Sequence, residues 1–174
     1  MKLDPQRLVF GLFLLVLIVV GEIILSHFSL PVWPAFMIMI FFFMEHMDIK
    51  KAPHMLVGGL FGIACILLIK WFVTALGPVI GVELSKLLFI CIFVYAIIAF
   101  GEMIPIVLNN YAFMFFTVSA AVAILLATMK EPKPFPLVEV MGVELIGGGL
   151  FIAGIIGILK LLGALAKKKA AKAG

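Results

Sequence analysis

Long apolar runs separated by short polar breaks are the feature that most constrains the fold of this chain of 174 residues. A helix of about 20 apolar residues crosses the hydrocarbon core of a bilayer. The chain is 66% hydrophobic and only 13% charged, whereas soluble domains have about 45–50% apolar and about 25% charged residues. The sequence therefore predicts an all-α integral membrane protein.

The polar breaks divide the chain into six predicted transmembrane helices within a single membrane domain, residues 1–174. Gly77 and Pro78 are expected to end the third span, and Pro105 to interrupt the fourth. The second span is the shortest and is expected either to extend through Glu45 or to be partly re-entrant. The predicted spans cover approximately residues 8–25, 32–44, 53–76, 84–104, 111–129 and 137–165, and a basic tail occupies residues 166–174.

The two halves of the chain, about 8–76 and about 84–165, show a similar residue pattern. Because each half has three spans, an odd number, the second half enters the membrane from the opposite side. The pattern therefore predicts a 3+3 inverted-topology repeat, with chance similarity between apolar segments as the alternative. The corresponding pairs are Gly21-Glu22 with Gly101-Glu102, Ala35-Phe36 with Ala112-Phe113, and Gly58-Gly59 with Gly148-Gly149.

Carboxylates inside the apolar segments are the main functional signal. Glu22 and Glu102 each follow a glycine near the end of a span, and Glu144 lies about two turns into the sixth. A charge at a helix centre costs roughly 2.5–3.5 kcal/mol on insertion scales. With His54, the counterpart of Glu144, they are expected to line a path for a small polar solute or cation. Alternatively, Glu22 and Glu102 extend to the lipid headgroups, and His54 is only solvated.

Aromatic residues near the predicted span ends suggest a constriction. Phe36 and Phe113 are candidates for an apolar ring that gates by dewetting, with lipid contact or packing as the alternative. Trp33 and Tyr111 stand close to them in sequence and also suit the membrane interface, where aromatic residues are enriched.

Small residues at helical spacing predict close helix packing. Gly58 and Gly62 are four residues apart in the third span, and Gly149, Ala153 and Gly157 form a similar ridge in the sixth. Such ridges let helix backbones approach closely. We expect these two spans to form the central helix contact or the interface of a homo-oligomer.

Enzymatic motifs are not apparent in the sequence. Glu45, His46, Asp48 and His54 are metal-ligating types, but their spacing matches no known metal motif, so a solvated loop is the favoured interpretation. The chain has no helix-borne His-Glu-x-x-His, nucleophile elbow or phosphate-binding glycine loop. We expect a protein without enzymatic activity, metal or cofactor, and an intramembrane metalloenzyme is the weakest alternative.

Basic residues predict the orientation of the chain. If the N-terminus is inside, nine of the 13 Lys and Arg residues face the cytoplasm and four face outward, which favours cytoplasmic termini. The basic tail with Lys167 and Lys168 suits anionic lipid, and we expect no binding to nucleic acid. The four residues predicted to face outward are Lys70, Lys86, Lys130 and Lys133.

The segment Leu30-Pro31-Val32-Trp33-Pro34-Ala35-Phe36, with Gly58-Gly59, Pro105 and Ala112-Phe113, resembles a family of small six-span bacterial inner-membrane proteins of unknown function. This resemblance implies the location and the number of spans and assigns no site residue. Glu22 and Glu102 depart from the pattern of that family.

Two functions fit these observations. The first is a channel or transporter for a small solute or cation, in which the glutamates set charge selectivity or proton coupling. The second is a non-transporting structural or assembly subunit, in which the glutamates pair with basic residues of a partner.

Overall fold

The computed structural model describes the backbone of residues 5–173 and the side chains of residues 7–168 and 171. Seven helices make up most of this part of the chain. This part contains no strand, and five of its helical segments are long and apolar enough to cross a membrane, in agreement with an all-α multi-pass membrane protein. The helices are α1 (Pro5–His27), α2 (Trp33–Met44), α3 (Ala52–Ile80), α4 (Val82–Phe100), α5 (Asn110–Ala127), α6 (Leu137–Gly142) and α7 (Gly148–Ala173).

The last membrane segment is a single long helix with an irregular turn inside it. A π-helical turn, Val143–Gly147, joins α6 to α7, and the apolar segment runs without a break over Leu137–Lys168. A π turn inserts one extra residue into a turn of helix and changes the direction in which its side chains point. Glu144 lies in this turn.

Helix α2 is shorter than the other membrane helices and more buried. Its 12 residues extend about 18 Å, which is less than the hydrocarbon thickness of about 30 Å. Half of its residues are buried in the bundle. They are Pro34, Ala35, Ile38, Met39, Phe41 and Phe42.

The helices pair in a reciprocal way. Helix α3 packs against α4 and α5, which follow it, whereas α7 packs against α1 and α2 at the start of the chain. The π turn also contacts α2 and α3. The main apolar core therefore lies around α2, where Ile38 and Phe42 meet Met55 of α3, Phe115 of α5 and Ile155 of α7.

Two helix boundaries differ from those that the sequence predicts. Helix α3 continues through Gly77 and Pro78 to Ile80, because a proline in the last turn removes only one backbone donor, and Val82 of α4 lies beside Gly77. The stop is provided by Gly81, whose φ of 89° suits glycine. Helix α4 ends at Phe100, so Glu102 lies in the turns beyond it.

Asn109 fixes the start of α5 and ties it to α3. Its Oδ1 accepts a hydrogen bond from the backbone N–H of Ala112 at 3.0 Å, as an N-cap side chain does. Its Nδ2 donates to the carbonyl oxygens of Pro105 at 2.9 Å and His54 at 3.1 Å. The turns after α4, the first turn of α3 and the first turn of α5 are therefore held together by one side chain.

Candidate functional site

Glu144 is the buried carboxylate of the bundle. Its side chain is 0% exposed, and neither of its carboxylate oxygens has a hydrogen-bond partner among the described residues. An unsatisfied buried polar group costs about 1–3 kcal/mol and a charged one more. Such a group in a native structure calls for an explanation in terms of strain, function, or a bound ion or water.

Gly59 of α3 provides the space that the Glu144 carboxylate occupies. A Cβ atom at position 59 would overlap Oε1 of Glu144 and would lie 2.8 Å from the ring of Phe115. The carboxylate is therefore placed where α3, α5 and the π turn meet.

Glu22 and Glu102 are in different surroundings from Glu144. Glu22 is exposed on α1, where its Oε1 accepts a hydrogen bond of 3.4 Å from the hydroxyl of Ser26. Glu102 is exposed in the turns that follow α4. The structure thus does not bring the three predicted path glutamates together, and of these only Glu144 lies within the bundle.

A polar cleft opens beside the starts of α3 and α5. Its volume is about 550 Å³. His54 is half-buried at this cleft, and its Nδ1 is buried without a partner among the described residues. The polar lining residues are Glu45, Lys51, His54, Asn109, Asn110 and Tyr111, and the apolar ones are Phe41, Met44, Pro105, Phe113 and Met114.

A short hydrogen bond crosses the cleft from α5 to the end of α2. The Tyr111 hydroxyl donates to Oε1 of Glu45 at 2.6 Å. Sequence reasoning placed Glu45 in a solvated loop, because a bond between residues 66 positions apart leaves no local signal.

Replacing Tyr111 with phenylalanine is expected to lower the free energy of unfolding by about 1.5–3 kcal/mol, because a hydrogen bond to a charged group is lost. The matched control is Tyr95→Phe, since Tyr95 is exposed on α4 and exposed substitutions change stability by less than about 0.5 kcal/mol. Unfolding by SDS, followed by tryptophan fluorescence, measures both effects. Equal stability of the two variants would contradict this role of Tyr111.

The four predicted constriction residues have different neighbours in the bundle. Tyr111 and Phe113 line the polar cleft. Phe36 packs against Phe151 of α7, with ring centroids 5.3 Å apart, and Trp33 packs against Phe115 at 6.1 Å. Phe36 therefore contacts α7, whereas Phe113 faces the cleft at the start of α5.

A row of aromatic rings connects the cleft with the surroundings of Glu144. Phe41 lies 5.1 Å from Tyr111 and 5.8 Å from Phe115, measured between ring centroids. Phe115 in turn lies beside Gly59, where the Glu144 carboxylate sits. Phe41, which also lines the cleft, and Phe115 are both buried, so the contacts that lead from the cleft toward the carboxylate run through apolar rings.

The predicted packing glycines divide between buried and exposed positions. A Cβ at Gly58 would overlap the side chain of Asn109, and a Cβ at Gly62 would overlap the backbone of Ala112, so both lie in the contact between α3 and α5. A Cβ at Gly149 or Gly157 would meet no atom within 4 Å, and Ala153 is exposed. The glycines that approach other helices on this side are Gly147, Gly148 and Gly154, which face Ala35, Ile38 and Leu17.

Metal-ligating side chains are dispersed in the described part of the chain, where no three His, Cys, Asp or Glu residues form a group suited to a metal ion. Sequence reasoning did not select Asn109, Gly59 or Phe115 as site residues, although Gly59 belongs to one of the repeat pairs. Only Asn109 has a sequence signal, since asparagine before an apolar run is typical of a helix N-cap.

Comparison of the chain with protein-family models, curated proteins and solved structures finds no match.

Proposed function

We propose that this chain is a channel or transporter for a cation or small polar solute, with Glu144 as the carboxylate at its centre. The observation that carries the proposal is the complete burial of Glu144, without a partner among the described residues, in a membrane-length helix. Ionisable residues inside transmembrane segments are rare and mark ion or substrate paths. Single π turns, such as the one that holds Glu144, are also frequent at functional sites.

The lack of a hydrogen-bond partner for Glu144 among the described residues favours a cation over a neutral solute as the transported species. An ionised carboxylate that is buried alone costs several kcal/mol, and no described residue donates a hydrogen bond to Glu144. A proton or a small cation can neutralise this group. Transport that couples to protonation of Glu144, or that passes a cation across it, is therefore the favoured mechanism.

The polar cleft is the proposed access route to Glu144. His54, Tyr111 and Phe41 line it, and Phe115 packs against Phe41 and lies beside Gly59, near the carboxylate. Apolar constrictions can close a pore by excluding water, so these two rings form the proposed barrier. In this scheme the exposed Glu22 and Glu102 act at the protein surface.

The reciprocal helix pairing supports a 3+3 inverted repeat as the architecture of this transporter. The third helix of each half packs against the other half, since α3 packs on α4 and α5, whereas α7 packs on α1 and α2. A pseudo-two-fold axis in the membrane plane would produce this exchange. Ala112 of α5 packs on Gly62 of α3, and Ala35 of α2 packs on Gly147 beside α7, although Gly62 and Gly147 are not counterparts in the repeat. Ala35 and Ala112 are the residues that the sequence repeat pairs with each other.

A bacterial cytoplasmic membrane with both termini inside is the proposed location. The distribution of Lys and Arg supports this orientation, with Lys2, Lys169 and Lys172 lying outside the described side chains. The ridge of Gly149, Ala153 and Gly157, whose glycines have open space beside them, suits close contact between two copies and supports a homo-oligomer.

Proteoliposomes test the proposed function. Vesicles that contain a pH-sensitive dye report proton movement under a K⁺ or Na⁺ gradient, and light scattering reports the uptake of urea or glycerol. We expect cation or proton flux above that of empty vesicles and a decrease of at least about tenfold in Glu144→Gln, equivalent to about 1.4 kcal/mol in the barrier.

The matched control is Glu139→Gln, because Glu139 lies on the same membrane segment but is exposed. This variant should keep the wild-type flux. Wild-type flux equal to that of empty vesicles for every solute, or equal flux in the two variants, would overturn the proposal.

A further inference from the structure

An apolar groove that contains two lysines lies between α3 and α5, far from the polar cleft. Its volume is about 450 Å³. The side chains from α5 are mainly alanines, whose small size leaves a furrow beside the larger residues of α3. The apolar lining residues are Ile66, Ile69, Val73, Ala120, Ala123, Ile124 and Ala127, and the polar ones are Lys70, Thr74 and Lys86.

Lys70 stands at the depth of a membrane interface. Lys70 lies 19 positions after Lys51, at the start of α3, which corresponds to about 28 Å of helix, close to the hydrocarbon thickness of about 30 Å. A hydrocarbon layer that begins at Lys51 would therefore end near Lys70. The neighbouring Trp71 is exposed, as tryptophans at membrane interfaces are.

Lys70 and Lys86 give the groove positive charge that can bind an anion. Lys70 has no ion-pair partner among the described residues, and Lys86 pairs with Glu83 at 2.7 Å. The Glu83 side chain is 86% exposed and that of Lys86 is 47% exposed, so this pair is weak and a competing anion can replace it. The hydroxyl of Thr74 is directed to the carbonyl oxygen of Lys70 at 2.9 Å.

We propose that this groove binds one anionic phospholipid, with an acyl chain along the alanines of α5 and the phosphate held by Lys70 and Lys86. The combination of an apolar furrow with basic residues at interface depth fits an anionic lipid. A helix from a second copy fits less well, because it would bury Lys70 against apolar surface without an anion. This inference does not depend on the proposed transport function.

Lipid binding to the purified full-length protein tests the proposal. Native mass spectrometry and the thermal unfolding shift are measured with phosphatidylglycerol and with phosphatidylcholine that carries the same acyl chains. We expect phosphatidylglycerol to bind more tightly, with a loss of about fivefold in Lys70→Gln or Lys86→Gln and about 30-fold in the double variant. Lys130→Gln is the control, since Lys130 follows α5 without lining the groove, and it should keep the preference.

A variant that fills the groove tests the contribution of the acyl chain to binding separately from that of the headgroup. Ala123→Leu should weaken the binding of both lipids, because the leucine side chain would occupy the furrow. Equal binding of the two lipids by the wild type, or an unchanged preference in the double variant, would overturn the proposal. A decrease in Lys130→Gln as large as in Lys70→Gln would also overturn it, as would a change of oligomeric state in Ala123→Leu without any loss of lipid.

Discussion

Gly62→Val is expected to lower the free energy of unfolding by about 3 kcal/mol or more, through overpacking of the contact between α3 and α5. A Cβ atom at position 62 would overlap the carbonyl oxygen of Ala112 and would lie 3.0 Å from the backbone nitrogen of Phe116. Backbone atoms cannot rotate away as a flexible side chain can. Helix α5 would therefore have to move away from α3, which would disturb the packing around Phe115 and the Glu144 carboxylate.

The matched control is Gly157→Val, because a Cβ at Gly157 meets no atom within 4 Å. It should change stability by less than about 1 kcal/mol, since valine is a slightly better helix former than glycine. Unfolding by SDS with the fluorescence of Trp33, which contacts Phe115, measures both variants. If Gly62→Val does not accumulate in the membrane, Gly62→Ala gives a smaller loss in the same direction. Stability of Gly62→Ala equal to that of Gly157→Ala would show that the close helix contact is absent.

Glu144→Met is expected to raise the free energy of unfolding by about 1–3 kcal/mol, the cost of leaving a buried polar group unsatisfied, and to abolish flux. Methionine has a similar length and is apolar, so it can occupy the space beside Gly59. Gain of stability with loss of activity is typical of residues kept for function. The control Glu139→Met, at an exposed position of the same segment, should change stability by less than about 0.5 kcal/mol.

The same measurement separates the two functions that the sequence suggests. In a structural subunit, Glu144 would be paired with a basic group of a partner, and removal of one member of a buried ion pair destabilises by about 3–5 kcal/mol. Glu144→Met would then lower the stability of the assembled complex. A stabilised variant with unchanged flux would contradict the central role of Glu144 in transport.

The membrane class and most helix positions could be predicted because they depend on composition along the chain. Apolar runs of about 20 residues give five of the membrane helices. The prediction was wrong at Pro78, because a proline in the last turn of a helix removes only one backbone donor and α3 stays helical to Ile80. It also extended α4 past Phe100 and so included Glu102 in a span, because hydropathy does not detect where a helix ends.

The packing glycines show the limit of sequence patterns in a membrane protein. Gly149 and Gly157 have the spacing of a packing ridge but face outward, whereas Gly59 and Gly148, which approach other helices closely, belong to no such spacing. In lipid both the buried and the exposed faces of a helix are apolar, so periodicity does not reveal which face meets a neighbour.

The sequence by itself determined that the chain is a helical membrane protein with costly carboxylates in or near its spans, because both properties follow from side-chain transfer free energies. Only the tertiary structure decided that Glu144 is buried while Glu22 and Glu102 are exposed. The burial of Glu144 requires Gly59 of α3, Phe115 of α5 and the π turn to meet at one point. These elements are far apart in sequence, so their meeting is set by helix packing and leaves no local signal.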